Sequence, residues 1–322
     1  MIRSIYMSGG QLQMHEGLID LPGEPGILWI DVASSRHYDL VLLRERFGID
    51  PNAVRISLHE DDTYLYMFGE LATMEERQPA FSRVTFVVGE RLLVTLHDSP
   101  AFAPLQRTLE GLSRKNRQPE DACALLLMIL SAINNGSSLV VEAIADELEK
   151  STRDISKLFV NEGRDRRELG VGDLAGAMLD LNESEATISR CLESQLGLGR
   201  MVRHLRGQMD SVGKHGQQER IEQLLADIVA TKDHAAFEHD KVRYLQHSVS
   251  SLLNIKQNQI VKVFTVITAA FLPPTLIATF YGMNFAVMPE LSWEHGFTVS
   301  IVLTFAAALL PLVYIKRKGW LR

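Results

Sequence analysis

Residues 260–281 read IVKVFTVITAAFLPPTLIATFY, and the chain continues GMNFAVMPELSW through residue 293. Residues 263–289 carry no charge. Crossing a hydrocarbon layer of about 30 Å takes about 20 apolar residues at a rise of about 1.5 Å each. The apolar part, 260–281, meets that length, and so does a second uncharged run at 296–315. Buried helices that long carry charge on one face in soluble proteins, so both runs are read as membrane spans. A third apolar stretch, ACALLLMILSAI at 122–133, is shorter and runs into Asn134-Asn135-Gly136. It is read as a core helix of a soluble domain.

Basic residues set the orientation. The tail after the second span is KRKGWLR, with Lys316, Arg317, Lys318 and Arg322, whereas the loop between the spans holds Glu290, Glu294 and His295. Positive residues stay inside, so the tail is cytoplasmic, and two spans return residues 1–255 to the same side. Trp293 and Trp320 flank the second span, where interfacial aromatics belong.

Upstream of the first span, residues 216–258 form a polar helix with an apolar seam. Ile221, Ile228, Ala235, Val242 and Val249 recur every seven residues, and Leu224, Leu245 and Leu252 fill companion positions. A seven-residue repeat lets helices wrap around one another. The seam is read as a stalk packing on copies of itself or on a neighbouring hairpin, with an intramolecular bundle as the alternative. No proline or stopping glycine separates stalk from span, so one continuous helix is expected.

The N-terminal third alternates strands with helix. ILWIDV (27–32) and TYLYMFGELAT (63–73) read as strands, and RVTFVVGERLLVTLH (83–97) as a hairpin turning at Gly89-Glu90. SRHYDLVLLRERFG (35–48) is an amphipathic helix stopped by Gly48. From about residue 101 the pattern is helical. The fold class is a membrane protein with an N-terminal cytoplasmic α/β domain, a long helical stalk and two C-terminal transmembrane helices. The segments are 1–120, α/β domain; 121–215, helical region; 216–258, stalk; 259–281, first span; 282–295, periplasmic loop; 296–315, second span; 316–322, basic tail.

Several chemistries are excluded. Net charge is −7 over 322 residues, which gives no general affinity for nucleic acid. Cys123 and Cys191 are the two cysteines, too few for a disulfide framework or a metal cluster. No phosphate loop or nucleophile elbow occurs. GVGDLAG (170–176) follows no strand and is read as a helix junction, and His234 with Glu238 as a solvated i, i+4 pair. An enzyme and a resident cofactor are not expected.

Gly282-Met283-Asn284 at the end of the first span, MPEL in a short acidic loop, a second span and the tail KRKGWL resemble the CorA family of magnesium transporters. NIKQNQIVKVFTVITAAFLPPTLIATF, with Pro273-Pro274, is similar to that family's first span. The resemblance is close over about residues 245–322, and upstream it extends to element order alone. It implies a funnel-shaped homopentamer in a bacterial inner membrane, carrying Mg²⁺ and in some members Co²⁺ or Ni²⁺. First spans line the pore and second spans form an outer ring. The zinc-transporting branch of the family, and a membrane-anchored sensor domain, are the rival readings.

Within that resemblance the Gly-Met-Asn loop is the outer entrance. Magnesium keeps its waters, and five Asn284 amides offer neutral acceptors to coordinated water, weak enough for the ion to leave. Gly282 permits the tight turn ending the helix, and Met283 packs the loop. Five copies of Glu290 would concentrate cations outside. Asn258, Val261, Thr265, Thr268, Leu272, Thr275 and Thr279 fall three and four apart on one helical face, with Phe264 at its edge. This face is assigned to the pore, the threonines being alternatively back-bonded or packed. Alignment with the family places an apolar gate at Val261 and Phe264, with Asn258 a polar ring beneath. The resemblance further implies closure by regulatory Mg²⁺ between cytoplasmic domains. By rough order, Glu75 and Glu76 would face Asp227 of a neighbouring copy.

Overall fold

The structure is a computed structural model of the chain that describes residues 2–8, 11–19, 28–33, 37–99, 102–115, 119–160, 171–212, 217–283, 288 and 292–319. It divides into two compact units, one holding Gly176–Gln246 with the chain up to Arg167, the other holding Glu168–Ala175 and His247–Arg322.

Seven strands form the sheet of the first unit: β1 (Ile2–Ser8), β2 (Gln11–Glu16), β3 (Leu28–Ala33), β4 (Leu58–Glu60), β5 (Leu65–Glu75), β6 (Gln78–Val88) and β7 (Leu92–His97). Their order is β2-β1-β3-β7-β6-β5-β4. Among the described residues only β3 and β7 pair in parallel; the other pairings are antiparallel. The hairpin expected at Gly89-Glu90 is present. The N-terminal hairpin β1–β2 was not foreseen, although Gly9-Gly10 between alternating residues was a legible signal.

Strand alternation splits the core into two layers. Leu28, Ile30, Val32, Tyr66, Val87 and Val94 pack with Leu43 of α1 (His37–Phe47) and with Ile49 and Val54. Gly48, at φ +74°, ends α1 as expected. On the other face Met67, Leu71, Phe86 and Leu93 pack with α2 (Ala103–Lys115), α3 (Ala122–Val160), α4 (Val171–Val212) and the start of α5 (Gln218–Tyr281). Both faces are covered, which is why β3 and β7 are buried along their whole length.

Beyond β4 the outer edge of β5 is closed by helices. The Ala72 N–H donates to Ser194 Oγ of α4 at 2.8 Å, and Ser137 Oγ of α3 donates to the Ala72 carbonyl at 2.8 Å. These bonds occupy backbone groups that would otherwise recruit another strand. A Cβ at Gly136 would lie 2.6 Å from Thr73 Oγ1, so the close approach of α3 to β5 requires glycine there.

The stretch at 122–133 lies in α3, which runs on for 39 residues through Asn134-Asn135-Gly136. Its length and composition suit a membrane span, so the argument from shortness fails. It is nonetheless a core helix, with 67% of its apolar window buried.

The apolar seam of α5 is covered by the chain itself: Ile221, Ile228, Ala235 and Val242 are buried. Ile228 Cγ2 lies 3.6 Å from the Cβ position of Gly199 on α4, and Gln246 donates to Asn182 and Glu185 of α4. The intramolecular-bundle alternative therefore holds for this seam. Glu238 corrects the reading of a solvated pair. It occupies a seam position, is 3% exposed, and accepts from Lys241 Nζ at 3.2 Å.

Candidate functional site: a polar helix face in the membrane segment

Helix α5 continues without interruption from stalk to span over 64 residues, as expected. At about 1.5 Å per residue it is about 96 Å long. Its apolar window is uncovered by the rest of the chain, and that of α6 (Gly296–Arg317) almost so. Lys316 and Arg317 lie in the last turn of α6, where cations offset the negative helix end.

Partial burial in the spans follows one stripe on each helix. On α5 it runs through Lys262, Val266, Ala269, Pro273 and Ile277; on α6 through Ser300, Thr304, Ala307, Pro311 and the buried Ile315. Small residues make up most of the α6 stripe, with Ser300, Thr304 and Ala307, as where membrane helices approach closely. Asn258, Val261, Thr265, Thr268, Leu272, Thr275 and Thr279 are all exposed on a different face of α5. At about 100° per residue, its centre lies about 110° round the helix from the partly covered stripe. Val261 is 56% and Phe264 64% exposed.

All four threonines are back-bonded. Thr265, Thr268, Thr275 and Thr279 each donate to the carbonyl four residues earlier, at 2.7 to 2.9 Å. The hydroxyl proton is thus committed, and the remaining lone pairs can only accept. The two readings of these threonines are therefore compatible: internal bonding leaves an acceptor surface on the same face.

At the end of α5 the Gly282 N–H donates to the Ala278 carbonyl at 2.9 Å, and the Met283 N–H to Phe280 at 3.3 Å. Gly282 does not adopt a positive φ, which corrects the expected reason for glycine. A Cβ there would sit 3.1 Å from the Ala278 carbonyl oxygen, so the constraint is close approach to the helix end. Met283 is exposed rather than packed within the chain. Asn284 and Glu290 lie outside the described residues.

The carboxylates assigned to regulation are spread. Glu75 ends β5; its Oε2 accepts weakly from Ser99 Oγ at 3.4 Å, and its Oε1 is buried without a hydrogen-bond partner. Glu76 and Arg77 form the two-residue turn to β6 at φ 47° and 67°. Asp227 is exposed on α5. Among the described residues, no three His, Cys, Asp or Glu gather as a metal site within one chain.

A buried network beside this turn escaped sequence reasoning. Asp31 on β3 accepts from Arg3 Nη2 at 2.7 Å and Thr95 Oγ1 at 2.9 Å, and lies 3.0 Å from His97 Nε2. Burial alone would raise the Asp31 carboxyl; the hydrogen bond and charge of His97, with hydrogen bonds from Thr95 and Arg3, outweigh it and hold the group below its usual range. His97 Nδ1 lies 2.6 Å from the Ser99 carbonyl. The network connects β1, β3 and β7 to the residue that contacts Glu75. Cys191 is buried, and burial pushes its thiol up to about 12, which makes it inert.

Residues 24–317 match the family described as CorA-like Mg2+ transporter protein. The magnesium transport protein CorA of Salmonella typhimurium (strain LT2) is 31% identical over 267 residues, covering 81% of this chain and 78% of the relative. That of Haemophilus influenzae (strain Rd) is 29% identical over 309 residues, covering 91% and 92%. The complete structure of the CorA magnesium transporter from Methanocaldococcus jannaschii superposes with a TM-score of 0.74 at 22% identity, covering 99% of this chain and 98% of that one.

Proposed function

The chain belongs to the CorA-like Mg2+ transporter family, and from that membership we propose that it carries Mg²⁺ inward across a bacterial cytoplasmic membrane through a pore lined by α5. The observation that supports this most is the face of Asn258, Thr265, Thr268, Thr275 and Thr279. It is polar, exposed in the single chain and turned away from the partly covered stripe of α5. Polar groups at membrane depth face protein or water. One helix cannot enclose a channel, so copies of the chain turn this face to a shared axis, and the family resemblance gives five.

The back-bonded hydroxyls suit the cargo. Mg²⁺ dehydrates reluctantly, and its waters present protons outward. A wall of acceptors without free donors receives those protons and offers nothing to an anion. The Asn284 amide oxygen adds a neutral acceptor at the outer entrance, and Glu290 concentrates cations in front of it. Val261 and Phe264 form the narrow apolar level, closing by loss of water, above the Asn258 ring. Co²⁺ and Ni²⁺ have the same charge and similar hydration and would pass the same path.

Regulatory Mg²⁺ is assigned to Glu75 and Glu76 of one copy and Asp227 of the next. Support comes from the buried Glu75 Oε1, which lacks a hydrogen-bond partner and suits an ion that takes one or two carboxylates and keeps its waters.

The deciding experiment is Mg²⁺ influx into liposomes that contain only this protein, with Asn284→Ala as comparison. Wild type is expected to give saturable influx, and the variant to lose it while still running as the assembled oligomer. Absence of influx with wild type overturns the transport reading. Normal influx with the variant overturns the role of Asn284.

A further inference from the structure

The interface between α3 and α4 contains polar atoms with no partner. Asn134 is 4% exposed and Gln195 is 1% exposed. Asn134 Oδ1 and both amide atoms of Gln195 are buried without a hydrogen bond. Unmet groups of this kind forfeit their hydration without replacement, so native proteins seldom leave them empty-handed.

These two side chains lie at one level. Cys191 Sγ of α4 contacts the Ser137 carbonyl of α3 at 3.9 Å. Were the helices parallel, the last residue of α3 and the first of α4 would be about 65 Å apart at about 1.5 Å per residue. The connection from Val160 to Val171 spans at most about 40 Å at about 3.6 Å per residue. The helices therefore run antiparallel. One turn before Ser137 on α3 is Asn134, and one turn after Cys191 on α4 is Gln195. Around them on the same two helices lie Leu130 and Ile133 on one and Ile188 and Leu198 on the other, all fully buried, beside Ser137 and Ser194, whose hydroxyls are already bonded to Ala72.

We propose that this level is an internal water site, in which ordered water bridges Asn134 and Gln195. The choice of ligand follows from the groups present. Two carbonyl oxygens need donors, and one amide nitrogen needs an acceptor. A metal ion would leave the nitrogen unmet, and an anion would leave both oxygens unmet. Water donates and accepts, and internal waters typically make about three hydrogen bonds to such groups. Because the oxygen and nitrogen of the Gln195 amide point apart, more than one water is required. A polar pair in an apolar seam penalises every shifted pairing of the two helices, so the hydrated level fixes their register.

Two measurements on the full chain test this. A structure determined at a resolution that resolves solvent should show ordered density within hydrogen-bond distance of Asn134 Oδ1 and of the Gln195 amide. Thermal unfolding should show that Asn134→Leu and Gln195→Leu each lower Tm, whereas Asn134→Leu with Gln195→Leu recovers part of the loss, because no polar group is then left waiting for water. A dry level with the two amides bonded directly to each other overturns the proposal. So do single variants that leave Tm unchanged or raise it.

Discussion

Gly136 illustrates how one missing side chain sets a packing distance. Because a Cβ there would meet Thr73 Oγ1 at 2.6 Å, Gly136→Ala is expected to cost about 1–3 kcal/mol, the range for overpacking. Adding Thr73→Ala should restore most of it; equal Tm for the single and double variants would disprove the contact. Gly282→Ala forces a similar approach to the Ala278 carbonyl and should reduce Mg²⁺ influx without unfolding the soluble unit. Asp31 carries a pH dependence. Its folded-state carboxyl titrates below the ordinary value, so its contribution is present above the unfolded-state pKa, about 3.9, and is lost as pH falls through the lower folded-state value. Asp31→Asn should therefore destabilise the chain near neutral pH, by about 3–5 kcal/mol for a broken buried pair, and flatten its acid denaturation profile. An unchanged profile would place the acid-sensitive carboxylate elsewhere.

At the scale of elements, the β5–β6 hairpin and the α4–α5 pair each contain one residue choice that works against stability. The hairpin turn places Glu76 and Arg77 at positive φ, where asparagine and glycine are favoured. Glu76→Asn with Arg77→Gly should raise Tm, with about 1 kcal/mol as the scale of left-handed strain. If Glu76 helps to hold regulatory Mg²⁺, the same variant should weaken the protection from protease that millimolar Mg²⁺ gives the soluble unit. In the α5 seam Glu238 takes a place that Leu245 takes in the next repeat and Leu224 two repeats earlier. Glu238→Leu is expected to be neutral or stabilising by about 1–4 kcal/mol, since a well-packed apolar residue commonly outdoes a buried ion pair. A marked fall in Tm would mean that the Lys241–Glu238 bond contributes more than it costs.

For the whole molecule, the polar α5 face and the gate assigned to it make a joint demand on flux. Replacing Val261 or Phe264 with serine should wet the narrow level and raise basal Mg²⁺ influx several-fold, because a polar wall no longer expels water. Influx that stays at the wild-type value in both low and high internal Mg²⁺ would move the gate to another level. The demand reaches beyond one chain, because the proposed pore wall needs several copies of this face.

What the sequence determined by itself was whatever depends on local composition and spacing. Two uncharged runs marked helices long and apolar enough to span a membrane, because lipid tolerates no unpaired charge over that length. The lack of any breaker between stalk and span predicted a single helix, and Gly89-Glu90 and Gly48 marked a turn and a stop. Gly282-Met283-Asn284, read in place, indicated the family. Tertiary structure decided what each apolar face meets. A heptad seam announces a partner without saying whose, and α4 of the same chain proved to cover it. The run at 122–133 has the composition of a span, and only its cover by the sheet and helices makes it core. Glu238, Asp31 and His97 look like ordinary polar residues in sequence; their burial arises from elements brought together across long separations. Periodicity reports that a face must be buried, whereas the burying surface is chosen by long-range packing, which no local pattern encodes.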